Sequence, residues 1–170
     1  MKGGGGKRKG NAFERIICKH LSLWITNGDR EDCLWRSAMS GGRATIAYTR
    51  NGEPVRQGGD IASVSPEGHA LVDRFTIECK CVRSLELVNF MLHNIGRTAR
   101  FWSKLVMEAQ RDGKQPMLIA KENRGAIIVI AKTLSHYAEP YVTIHERGCS
   151  LYLFSEIISS NFDLSTKGTS

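Results

Sequence analysis

No stretch of this chain approaches the roughly 20 consecutive apolar residues that cross a bilayer as a helix, so a helical membrane anchor is not expected. Basic residues open the sequence in Met1–Gly10, but no apolar segment follows them, which argues against a secretory signal and for a cytoplasmic protein. Cysteine is sparse and scattered: Cys18, Cys33, Cys79, Cys81 and Cys149 are odd in number, which argues against a disulfide framework. Cys79 and Cys81 are spaced C-x-C, with no second pair and no H-x₃₋₅-H, so a structural zinc site is not expected and buried free thiols are. The glycine-rich start is not a P-loop, because Met1 stands where the pattern needs Gly and Arg8 where it needs Ser or Thr. His20, His69, His93, His136 and His145 show neither metal-ligand nor triad spacing.

What is present in excess is positive charge. Lys and Arg outnumber Asp and Glu by 24 to 17, a formal charge of +7, and this suits a polyanionic partner whose condensed counterions are released on binding. The length of 170 residues fits one domain with a core of its own. Residues 1–10 read as a flexible basic arm, 11–160 as the folded domain and 161–170 as a loose polar tail. A first helix is predicted over Ala12–Trp24, with Asn11 as N-cap and an apolar face of Phe13, Ile16, Ile17, Leu21 and Trp24. Short strands are expected at Cys33–Ser37, Arg43–Thr49 and Asp60–Val64, then a hairpin tip at Pro66–His69 and a return strand Asp73–Val82. A long helical region interrupted at Gly96 should end near Asp112 with Gly113 as its stop. Pro116–Lys121 and Ala126–Ala131 read as strands buried on both faces, and Tyr152–Phe154 as a last strand followed by a short helix. Trp24, Trp35 and Trp102 are expected in the core. The fold class is therefore α/β: a mixed central sheet flanked by helices, in the order α-β-β-β-α-β.

The strand Asp73–Val82 carries the chemistry. Side chains alternate across a strand, so Phe75, Ile77, Cys79 and Cys81 face the core, while Thr76, Glu78 and Lys80 share the other face. Glu78 and Lys80 are open to two readings, an exposed ion pair or part of a site. If Asp60 and Glu78 converge around the Pro66–His69 turn, the two carboxylates offer hard oxygen ligands to a divalent cation such as Mg²⁺, and Lys80 stands beside them. Such a centre suits phosphodiester cleavage, which needs a Lewis acid, an activated water and compensation of phosphoryl charge.

Gly59-Asp60 followed eighteen residues later by Glu78-Cys79-Lys80 resembles the motif of the PD-(D/E)XK nuclease superfamily. Lys9-Gly10-Asn11-Ala12-Phe13-Glu14-Arg15 is similar to the KG-x-x-x-ER helix start of archaeal-type Holliday-junction resolvases. Arg36 with Ser40-Gly41 resembles the R…SG segment of the same group, and Asp60-Ile61 its metal-binding pair. The W-R-S and S-G-G-R segments resemble phage-encoded members. Gly59 stands where the motif has proline, and the stretch between Ser40 and Asp60 is longer than in those resolvases.

The resemblance implies a restriction-endonuclease-like core and roles for particular residues. Asp60, Glu78 and the carbonyl of Cys79 would hold Mg²⁺, with Mn²⁺ as a substitute, and Lys80 would serve the attacking water. Glu14 would complete the acidic cluster, although a capping box with Asn11 is the alternative. Gln110 would approach the centre from the later helix, or remain a core amide. Arg36 and Ser40 would contact DNA phosphate near the scissile bond; Lys9 and Arg15 are further candidate DNA contacts, as are Arg43 and Arg56 on the longer stretch that departs from those resolvases. The implied activity is a metal-dependent endonuclease selective for branched DNA, working as a homodimer because symmetric cutting of a junction needs two active sites. A duplex endonuclease of restriction or repair type, and a non-catalytic nucleic-acid-binding protein on the same fold, are the alternatives.

Overall fold

The computed structural model describes residues 4–37 and 56–162. Ser40, Arg43, the strand expected at Arg43–Thr49 and the tail from residue 163 lie outside the described residues. Helix α1 spans Gly4–Ile25 and so begins well before Ala12, inside the segment expected to be a flexible arm. Once a helix is nucleated each further residue adds a hydrogen bond, and Lys9 is tied by a side-chain bond to Asn123. Asn11 is therefore inside the helix and not its cap. Phe13, Ile17, Leu21 and Trp24 are buried as the helical spacing predicts, whereas Ile16 is exposed.

Two sheets follow. Strands β1 (Leu34–Arg36), β2 (Arg56–Gly58) and β3 (Ile61–Ser63) form a small antiparallel sheet in the order β1-β3-β2. The segment after β3 is not a hairpin. Pro66–Gly68 makes a 3₁₀ turn with Pro66 at its first position, and α2 (His69–Arg74) continues it, burying Leu71 and Val72. Proline's fixed φ suits the first turn of a helix, and the buried Leu71–Val72 pair anchors that turn, so Asp73 and Arg74 fall in α2 and not in a strand. Lys114 donates to the carbonyl oxygens of Gln57 and Val72, placing a cation at the end of α2.

The main sheet contains β4 (Phe75–Val82), β5 (Gln115–Glu122), β6 (Ile127–Ala131), β7 (Val142–Ile144) and β8 (Cys149–Leu153), in the order β4-β5-β6-β8-β7. The β4–β5 pair is parallel and the other pairs are antiparallel, so the sheet is mixed as expected. Helices α3 (Leu87–His93) and α4 (Gly96–Arg111) make the parallel crossover, broken at Gly96 as the sequence indicates. α1 and α5 (Phe154–Ser159) cover one face of the sheet, packing Phe13, Ile17, Phe154 and Ile157 with Ile77, Cys79 and Ile119. α3 and α4 cover the other, packing Phe90, Trp102 and Leu105 with Leu118, Ala120 and Ile130. β5 and β6 are thus buried on both sides, and each large side chain there contributes about 1.5–3 kcal/mol. Trp24 and Trp102 are core residues, but Trp35 points outward from β1 with 56% of its surface exposed.

Candidate active site

β4 is the edge strand of the main sheet, and its outer edge is where the candidate site is built. Alternation sends Phe75, Ile77 and Cys79 into the α1 side of the core. Thr76, Glu78 and Lys80 share the face toward α4, where Phe101 places its ring 5.7 Å from the Lys80 ammonium. Glu78 and Lys80 are themselves joined in an ion pair, with side chains 15% and 29% exposed.

Asp60 reaches this strand without a hairpin. Gly59 bridges to Ile77 in parallel register, Asp60 N–H donates to the Ile77 carbonyl at 2.8 Å, and the Cys79 N–H donates to Asp60 Oδ2 at 2.8 Å. Asp60 therefore occupies the edge of β4 with both its backbone and its side chain. This approach needs glycine. A Cβ on Gly58 would meet the Phe75 carbonyl oxygen at 2.4 Å, and one on Gly59 would meet that of Ile77 at 2.4 Å. Gly59 also has φ +75°, which proline's ring forbids. Proline cannot occupy this position in this backbone. From the other side, Ser37 N–H, just after β1, donates to the Asp60 carbonyl at 2.7 Å and fixes the same residue.

Glu14, buried in α1, is not a helix cap. It accepts a 2.9 Å bond from Arg36 Nε, and Arg36 Nη2 donates to Asn11 Oδ1 at 3.0 Å. Arg36 is thus held between two residues of α1 that lie three apart, which places them on one helix face. Asn11 thus helps to position Arg36 and does not cap the helix.

The cluster is electrostatically tense. Burial pushes the Asp60 carboxyl up to about 6, and the charges of Glu78 and then Glu14 add to the shift, while the Cys79 N–H and the Lys80 ammonium oppose it. Burial pulls the Lys80 ammonium down, but its bond to Glu78 and the charges of Glu78 and Asp60 outweigh this and raise it. The thiol of Cys79 is buried on the α1 side of the core and pushed well above its ordinary range, first by burial and then by Asp60. Its carbonyl leaves β4 on the same edge as its N–H, because both backbone groups of a strand residue point the same way.

The other predicted residues are dispersed. Gln110 is exposed at the C-terminal end of α4, and Phe101 is the residue of that helix that overlies Lys80. Arg56 is exposed on β2 and paired with Asp73. Arg15 lines a shallow surface pocket with Trp35 and Arg36, and Lys9 lies at the start of α1 beside Asn123.

The donor set fits a hard cation. Among the described residues no group of three or more His, Cys, Asp and Glu side chains converges as a cage. Mg²⁺ commonly binds through one or two carboxylates and keeps several waters, and Asp60, Glu78 and the Cys79 carbonyl offer that kind of partial, oxygen-only shell.

A family model described as "Phage putative PDDEXK endonuclease" matches residues 5–162. The chain belongs to this phage PD-(D/E)XK endonuclease family. No curated protein and no solved structure matches it. The family match takes in β1 to α5 and nearly all of α1, so the mixed sheet with helices on both faces is the architecture of a restriction-endonuclease-like core in a single domain. Asp60, Glu78 and Lys80 all lie within the matched residues. No helix among the described residues is long and apolar enough to cross a membrane.

Proposed function

We propose that the protein is a Mg²⁺-dependent DNA endonuclease selective for branched DNA, acting as a homodimer on four-way junctions. The observation that carries the catalytic part is the placing of Asp60 against the edge of β4, beside Glu78 and Lys80, by the Gly59–Ile77 bridge. Asp60, Glu78 and the Cys79 carbonyl would hold the metal, which would supply a Lewis acid for the scissile phosphate and an acidified water. Lys80, kept protonated by Glu78, orients the attacking water and offsets negative charge gathering on the phosphoryl oxygens. Water adds to phosphorus, one P–O ester bond breaks, and the products are a phosphomonoester and a hydroxyl. Glu14 keeps Arg36 at the margin of the centre, where a guanidinium suits a phosphate oxygen.

The junction preference rests on the ordered motif resemblance from Lys9 to Lys80. A labelled four-way junction and a linear duplex of the same sequence, with Mg²⁺, Mn²⁺ or EDTA, test it for wild type and Lys80→Ala. Paired nicks in the junction alone, dependent on metal and lost in the variant, are expected. Equal cutting of the duplex would replace the junction reading with a general endonuclease, and no cutting with either metal would leave a DNA-binding protein.

A further inference from the structure

A second basic feature lies beyond the catalytic cluster. Where β4 runs out, a cleft of about 740 Å³ opens between the start of α1 and the β5–β6 turn. Lys9, Arg83, Lys121 and Arg124 line it, and Glu122 is its single acidic residue. Glu122 is already committed, since its Oε1 accepts the Leu85 N–H at 2.6 Å. Arg83, Lys121 and Arg124 enter no ion pair with any described residue. Four cations around one engaged acid make a concave surface matched to a polyanion, and the exposed side chain of Ile16 gives it an apolar wall.

We propose that this cleft, on the α1 side of β4 and so on the other face of the strand from Glu78 and Lys80, is a DNA-backbone subsite that holds a phosphodiester strand. It rests on the nuclease reading, though binding can be measured without cleavage. The charge pattern suits it: Lys9, Arg83, Lys121 and Arg124 stand around one concave surface with a single acid among them. The bond from Lys9 to Asn123 ties the two walls together, so the basic rim is preorganised and does not have to be ordered by the ligand. Contacts of this kind fix register and carry no base sequence, which agrees with a protein that selects DNA by shape.

The test measures equilibrium binding of a labelled duplex and of a four-way junction in EDTA across a salt series. The variants are Arg83→Glu/Arg124→Glu, the milder Arg83→Gln/Arg124→Gln, and Lys132→Glu/Arg147→Glu, which makes the same charge change away from the cleft. Each variant is checked for an unchanged melting curve, and the Gln pair covers misfolding of the Glu pair. At moderate salt the Glu pair should lose ten-fold or more in affinity. Two lost phosphate contacts should also flatten the slope of log K against log salt by about 1.8. The distant pair should stay within about three-fold of wild type. Equal losses from the distant pair, or none from the cleft pairs, would overturn the subsite. If wild type binds and cuts DNA while the cleft variants match it, only the subsite falls; if wild type binds no DNA, the proposed function falls with it.

Discussion

Asp60 must be a carboxylate to hold a cation, yet it sits where burial, Glu78 and Glu14 all favour its protonated form. Its folded value of about 6 lies above the unfolded value of 3.8, so protonation stabilises the fold. That contribution is complete below about 3.8 and is lost as pH rises through about 6. At pH 8 without metal the charged Asp60 therefore costs on the order of 2–3 kcal/mol. Asp60→Asn keeps an oxygen for the Cys79 N–H and removes the charge. It should melt about 5–10 °C higher than wild type at pH 8 in EDTA, with little difference at pH 4, and should not cleave DNA. A lower melting temperature at pH 8 would contradict this account of the site. In wild type, protons should compete with metal below about pH 6, so cleavage should fall there and be recovered in part by more Mg²⁺. Glu14→Ala is a separate case. It removes the Glu14 bond to the half-buried Arg36, a loss of about 1.5–3 kcal/mol, visible as a lower urea midpoint with an unchanged m-value.

At the scale of elements, the site depends on how closely the segment before β3 approaches β4. Gly59→Ala adds a Cβ that would stand 2.4 Å from the Ile77 carbonyl oxygen, at a φ that L side chains rarely adopt. The segment must then back away, taking Asp60 with it. The expected result is a loss of about 3 kcal/mol in stability and a fall in cleavage larger than that loss explains at temperatures where the variant is folded. Normal cleavage by Gly59→Ala would mean that the bridge to Ile77 is not what positions Asp60. This element also shows what the sequence made legible. The alternation of Phe75 to Val82 correctly assigned the two faces of β4, because a strand's period is a local property. The apolar runs of β5 and β6 announced burial on both sides for the same reason. The route by which Asp60 reaches Glu78 was not legible. Pro66-Glu67-Gly68 satisfies both a hairpin tip and a helical first turn, and the burial of Leu71 and Val72, a tertiary effect, decides between them. Asn11 misled similarly: a good N-cap residue was read as one, but α1 continues past it and its amide is taken by Arg36. Gln110 matched by position along the helix, yet exposure separates it from the buried stripe of Trp102, Leu105 and Ala109.

For the whole molecule, the edge of β4 that Asp60 occupies sets which surface would face DNA under the proposed function and which would remain for a second copy. Asp60, Glu78 and Lys80 lie at that edge, and the basic cleft opens where the same strand ends. The strands β5 and β6 have no face left for a partner, since both of theirs are covered within the chain. α3 and the start and outer side of α4 do: Val88, Leu92, Ile95 and Met107 are 57–70% exposed. If symmetric junction cutting requires two active sites, this helical face is the apolar surface on which two copies can join by a two-fold axis. Sedimentation should then give a dimer for wild type, alone or once a junction is bound. Leu92→Glu/Met107→Glu should shift it to a monomer that keeps its fold by circular dichroism, because neither side chain is in the core. The same variant should still nick a junction, but the second nick should no longer follow within the lifetime of one complex. On a supercoiled cruciform plasmid this converts linear product into nicked circle. A monomeric wild type on the junction would remove the resolvase assignment while leaving the chemistry at Asp60, Glu78 and Lys80 intact. A dimer that survives both charges would move the interface to another face.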